Sequence, residues 1–334
     1  MKPGRFIPIL VLLSVLIQLV GCKHQTPKIG LLMHSYENER WIKDRDYLVE
    51  DLKKLGAEVM VKVADNDQKR QIAQAETMIQ EGAQVLIVVS INQDEAAKIV
   101  EMAHKANVKV IAYDRLINNC KLDYYITTNS THVGELQAKY MTSIRPNGRY
   151  ALICGSKYDD NSKKLFLGQM NILQPFMERG DIQLVYSEFT EAWTPAEGAL
   201  HATKIMEQTH DSITAIIAGS DAIANGVLDI LMEKGLAGKV LLAGQDSELR
   251  NIKAILNGTQ TCDILKPLKQ MAAITAKLAV NLAKGETPEI KFTNESNGKF
   301  LVKSVLLDAT VVNKDNVDQT IVASGFYRAA QLKD

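Results

Sequence analysis

Cysteine is scarce in this chain, and it offers neither a disulfide framework nor a zinc pattern. Four occur in 334 residues. Cys22 closes an N-terminal apolar run, which leaves Cys120, Cys154 and Cys262, odd in number and widely spaced. Cys154 sits inside Tyr150-Ala151-Leu152-Ile153, where a small buried hydrophobe is expected. A bond between Cys120 and Cys262 has no support in the spacing. Charge of one sign is also missing: lysine plus arginine equals aspartate plus glutamate at 39 each. Without Lys2 and Arg5 the balance is 37 against 39, and no basic stripe suited to nucleic acid appears. The six histidines show no metal-ligand spacing, and G-x-G-x-x-G, G-x-x-x-x-G-K-[ST] and H-E-x-x-H are all absent. These absences argue against nucleotide, nucleic-acid and metal chemistry, and no cofactor is expected.

What is present begins at the N-terminus. Lys2 and Arg5 precede an apolar run from Ile7 to Val20 that stops at Leu19-Val20-Gly21-Cys22. The layout reads as a secretory signal, and a small residue followed by Cys reads as a bacterial lipobox with Cys22 as the lipidated residue. The run is short for a membrane span, which needs about 20 apolar residues. The chain is thus expected to be exported and lipid-anchored at the cell envelope.

Beyond a tether at 23–27 the chain alternates short apolar runs with amphipathic stretches. Strands are expected at Ile29–Met33, Glu58–Val63, Gln84–Val89 and Val108–Tyr113, with helices over Asn38–Leu55, Gln68–Glu81 and Glu95–Ala106. A second series opens near Tyr150, with strands at Ile182–Val185, Ile213–Ala218 and Val240–Ala243. Its helices are expected over Lys163–Glu178, Pro195–Gln208, Ala222–Glu233 and Glu248–Leu256. Continuous apolar strands between helices predict parallel sheets covered on both faces, so the fold class is α/β with two doubly wound lobes.

In such sheets the ligand crevice lies beyond the carboxyl ends of the strands. The residues there are Tyr113-Asp114-Arg115, Gly155-Ser156 leading to Asp159-Asp160-Asn161, Ser220-Asp221 and Gln245-Asp246. They are polar groups suited to gripping hydroxyls, several of them bidentately. Trp41 and Trp193 fall on the same side; an indole face beside carboxylates and guanidinium groups suits a sugar ring, and equally serves as half-buried packing. Asp159, Asn161 and Asp246 have two readings each, ligand contact or helix cap and turn. Neither Asp159/Asp160 nor Asp44/Asp46 carries a nucleophile signature, and adjacent carboxylates rarely face one glycosidic bond, so no enzyme is expected.

Several segments resemble the D-xylose-binding proteins of bacterial ABC importers, members of the type I periplasmic binding protein family. They are Glu39-Arg40-Trp41-Ile42-Lys43-Asp44-Arg45-Asp46, Ala112-Tyr113-Asp114-Arg115, Val133-Gly134-Glu135-Leu136-Gln137-Ala138-Lys139, Gly244-Gln245-Asp246, Gly258-Thr259-Gln260-Thr261 and Lys266-Pro267. The resemblance implies two lobes joined by a three-segment hinge: 28–131 plus 266–302, and 132–265 plus 303–334, after a signal at 1–22. It also implies a monosaccharide site formed by Arg40, Trp41, Asp114, Arg115, Asp159, Asn161, Trp193, Ser220, Asp246 and Lys266. The implied receptor is a monomer that closes over a pentose and hands it to an ABC permease, or presents it to a transmembrane kinase or chemoreceptor. Two departures bear on the sugar: His34-Ser35-Tyr36-Glu37 stands where the family tends to have acidic residues, and Ser220 where it has asparagine.

Overall fold

The structure, a computed structural model, describes residues 26–333. The expected signal and the expected lipidation site at Cys22 lie outside these residues.

The first lobe grows from strand-helix repeats: β1 (Lys28–Met33), α1 (Glu39–Lys54), β2 (Glu58–Val63), α2 (Gln68–Gln80), β3 (Val85–Val88), α3 (Ala97–Lys105), β4 (Lys109–Tyr113) and β5 (Tyr124–Thr128). β3 is a run of four fully buried aliphatics, the mark of a strand covered on both faces. Asp67 begins α2 by accepting from the amides of Lys69 and Arg70.

The second lobe repeats the scheme with α4 (Ser130–Ile144), β6 (Gly148–Ser156), α5 (Asp160–Glu178), β7 (Ile182–Thr190), α6 (Pro195–Thr209), β8 (Ala215–Ala218), α7 (Asp221–Glu233), β9 (Leu241–Ala243), α8 (Leu249–Asn257) and β10 (Asp263–Leu265). The chain then returns to the first lobe through α9 (Leu268–Lys284), β11 (Thr293–Ser296) and β12 (Leu301–Leu307). It finishes on the second with β13 (Thr310–Val312) and two short helical turns.

The first sheet runs β11-β12-β5-β4-β3-β1-β2, parallel except where β11 meets β12. The second runs β7-β6-β8-β9, all parallel, and β10 pairs β13 antiparallel beside it. Apolar side chains fill both faces of each sheet: α1 and α9 cover one face of the first, α2 and α3 the other. The second lobe is packed the same way, with close helix contact where Gly134 of α4 lies against the Leu165 carbonyl of α5.

The chain passes between lobes three times, and two of the expected cuts need correction. The cut at 131/132 falls inside α4, whose cap is Asn129. That at 302/303 divides β12, which pairs with β5 as far as Leu307↔Thr128 and so belongs whole to the first sheet. The crossing at 265/266 lies between β10 and α9. Cys120 and Cys262 are buried, free and in the cores of different lobes.

Candidate functional site

Parallel strands deliver their last residues to one edge of each sheet, and the two edges face each other. Arg40 and Trp41 project from the first turn of α1, just beyond β1. Asp114 and Arg115 follow β4, Asp159 and Asn161 follow β6, Trp193 follows β7, Ser220 follows β8, and Asp246 follows β9. Lys266 sits at the hinge. The structure brings all ten expected residues to the wall of one cavity and adds Asn38 and Gln245 to it.

Arg40 is the organising cation. It is 4 % exposed and donates to Asp44 at 3.0 Å, to Asp246 at 3.1 Å, and to Asp114. Its guanidinium lies 4.4 Å from the Trp41 ring centre, and that of Arg115 lies 5.2 Å away, so the indole has two cationic neighbours. Arg115 pairs with Asp159 at 3.1 Å and donates to the Ser90 carbonyl at 3.2 Å. Lys266 pairs with Asp246 at 3.1 Å.

Neutral groups complete the bridging. Asn161 donates to the Asp114 carbonyl at 2.9 Å and accepts from Ser130 at 2.9 Å. Asn38 donates to the Trp193 carbonyl at 3.2 Å. The Arg40–Asp246, Arg115–Asp159 and Asn161–Asp114 pairs all join one lobe to the other, which makes this a closed arrangement.

Asp159 caps α5 through the Asn161 amide at 3.0 Å with one oxygen and meets Arg115 with the other. Ser220 caps α7 through the Ile223 amide at 3.3 Å and still lines the cavity. Asp246 is a turn residue with φ 98°, and Asp114 has φ 65°; both occupy the left-handed region that non-glycine residues rarely enter. Their amides are held by the Ile264 and Ile126 carbonyls, at 3.1 and 2.8 Å. Such backbone costs about 1–3 kcal/mol and gathers at sites where a side chain must be aimed.

Trp193 is seated by Gly155, since a Cβ there would fall 1.8 Å from the indole. Trp41 belongs to the first-lobe core as well as the cavity wall. His34, which opens the departure from the family pattern after the first strand, is buried edge-on to Trp41 with centroids 4.4 Å apart and lines a neighbouring chamber.

Burial and charge pull the carboxyl groups apart. Burial works upward on Asp114, but Arg40, Lys266 and Arg115 outweigh it and leave the group below its usual value. Asp44 is pushed up to about 6 because burial exceeds the help from Arg40 and from the Tyr113 hydroxyl, 2.5 Å away. Burial also raises Asp159 despite Arg115. Asp44 and Tyr113 support the site from below; their place one helical turn after Arg40 and one residue before Asp114 is the signal that could have found them.

Chemically this is a box of paired charges flanked by two indoles. It can offer acceptors and donors to hydroxyls and apolar faces to a ring. Among the described residues no group of three or more His, Cys, Asp or Glu side chains could hold a metal ion.

A periplasmic binding protein domain model matches residues 29–287, and the chain belongs to that family. Members are receptors and not enzymes. The chain is 38% identical over 323 residues to the D-xylose-binding periplasmic protein of Escherichia coli K12, covering 96% of both. It is 37% identical to the protein of the same description from Haemophilus influenzae, covering 90% of both. A solute-binding protein of an ABC transporter from Clostridium phytofermentans, solved with bound beta-D-glucose, is 26% identical and superposes with a TM-score of 0.84. That match covers 92% of this chain and all of the other.

Proposed function

We propose that this chain is the capture receptor of an ABC-type sugar importer, that it takes D-xylose or a related pentose, and that Cys22 tethers it by lipid at the cell envelope. The observation that carries the reading is the cavity, where cations, carboxylates and two indoles from both lobes converge. Relatives described as D-xylose-binding, matched over nearly the whole chain, support the pentose. The mechanism is closure: ligand favours the closed state because only there do both lobes reach it. Lobe closure needs no bond-making chemistry, and the closed receptor is what the permease would engage.

A thermal-shift and calorimetric panel of xylose, arabinose, ribose, glucose, galactose and xylitol on the chain from Lys23 tests this. A ligand at about 100 times its dissociation constant stabilises the fold by about 2.7 kcal/mol. Response to xylose or another pentose supports the reading; silence from every sugar overturns it. Palmitate labelling that fails to reach Cys22 would remove the anchor, and affinity capture from native membranes would separate a permease partner from a signalling one.

A further inference from the structure

Outside the cavity, a second set of bonds joins the lobes. Glu39, one residue before Arg40, sends its carboxylate across to the second lobe. One oxygen accepts from the Leu249 amide at 3.1 Å, the other from the Tyr327 hydroxyl at 2.7 Å. Lys43, one turn along α1, donates to Glu39 and, at 2.9 Å, to the Tyr327 oxygen; it lies 4.3 Å from that ring centre.

The far side of this contact is built into the second lobe. Leu249 opens α8, whose own cap residue Glu248 makes no side-chain capping bond, so the free helix amide is met from the other lobe. The Tyr327 ring is 3 % exposed and packs with Ile252, Ile255, Val312, Val317 and Ile321. Its hydroxyl meets Glu39 and Lys43 of the first lobe, and the Lys43 ammonium also lies over the ring. The segment before it is also held from α9, where Lys269 donates to the Ser324 and Gly325 carbonyls at 3.0 and 3.3 Å.

The placement ties the contact to the site. Glu39 is the sequence neighbour of Arg40, and Leu249 lies three residues beyond Asp246, so fixing one pair fixes the register of the Arg40–Asp246 bond that crosses the cleft. Neither Glu39 nor Tyr327 lines the cavity. We propose that Glu39, Lys43 and Tyr327 form a closure clasp: positioning residues that hold the lobes together and set how long captured ligand stays, without touching it. The proposal rests on the sugar-capture reading above.

Tyr327→Phe is the test, because it keeps the packed ring and deletes only bonds to the first lobe. Sugar affinity and release rate are measured on the full chain in detergent. Separation of the lobes is read from spin labels on one exposed position of each. The clasp predicts a dissociation constant about five- to tenfold weaker, the scale of one hydrogen bond to a charged partner lost partly to water. The loss should lie in faster release, with a longer interlobe distance in ligand-free protein and an unchanged melting temperature. Glu39→Gln should act alike, and the double variant should fall short of the sum, since the two share a bond. Wild-type affinity, release rate and distances in Tyr327→Phe overturn the clasp. If the parent chain binds no monosaccharide, the capture reading fails instead. The ligand-free distances then decide alone: lengthened in Tyr327→Phe they support the clasp, unchanged they overturn it.

Discussion

Replacing Arg40 with Met keeps most of the side-chain stem and removes every donor. Three carboxylates, Asp44, Asp114 and Asp246, lose their shared cation at once. Breaking a buried pair by deleting one partner costs about 3–5 kcal/mol, because the other charge is left uncompensated. That is a large part of a typical stability of about 5–15 kcal/mol.

The pH dependence should expose the cause. In the parent, Asp114 is held below its usual value, so its contribution is present above the unfolded pKa and lost as pH falls through the folded one. In Arg40→Met the carboxyls Asp44 and Asp114 should rise, so the native state binds more protons than the unfolded chain. Stability then falls as pH rises through the new folded values. The deficit against the parent should therefore be about 3–5 kcal/mol at pH 8 and clearly smaller at pH 5. Urea unfolding in a Trp193→Phe background reads this cleanly, since the chain has two tryptophans and Trp41 then reports on the first lobe alone. An equal deficit at both pH values, or one below about 1 kcal/mol at pH 8, would refute the argument that Arg40 stabilises by compensating buried carboxylates.

Arg115→Ala should weaken sugar binding by about 1.5–3 kcal/mol, the range for charged hydrogen bonds; calorimetry showing unchanged affinity would remove Arg115 from the site. Glu248 is pushed up to about 7 by burial, then by Asp246, Glu39 and Asp263, so it disfavours the fold increasingly as pH rises from its unfolded value toward 7. Glu248→Gln keeps the shape and should gain up to about 3 kcal/mol at pH 8 and little at pH 4; denaturation curves that stay parallel to the parent at both would contradict this.

How far the sequence was legible depended on what each segment buries. Runs such as Val85–Val88 announce themselves because both faces are covered. β5 carries Thr127 and Thr128 into the hinge, both buried and Thr127 bonded to the Asp114 carbonyl, so it lacks an apolar signature. α4 hides for a related reason: beside Val133 and Met141 its buried face carries Ser130, Gly134, Gln137, Ala138 and Thr142, small and polar groups suited to close helix packing and to the Ala218 and Gly244 carbonyls that Gln137 bonds. β7 runs five residues beyond its expected end at Val185, because it is an edge strand with an exposed, alternating pattern. The ten cavity residues were readable because parallel topology sends every strand end to one side. Their partners across the cleft were not, since which carboxylate meets which guanidinium depends on how the lobes close.

That closure bears on why a cavity for a neutral ligand should be built from so many charges. Charged donors and acceptors bond hydroxyls about twice as strongly as neutral ones, but each buried charge has to be compensated. Here Arg40, Arg115 and Lys266 are already matched by Asp44, Asp114, Asp159 and Asp246 within the protein. A polyol inserted among them can accept from the cations and donate to the carboxylates while leaving the balance untouched. A sugar acid or sugar phosphate would add an anion to cations whose partners are in place, and would have to displace a carboxylate that is buried and held. The same pairing that lets the lobes close thus sorts ligands by charge before it sorts them by shape, and favours a neutral ring with hydroxyls on its rim.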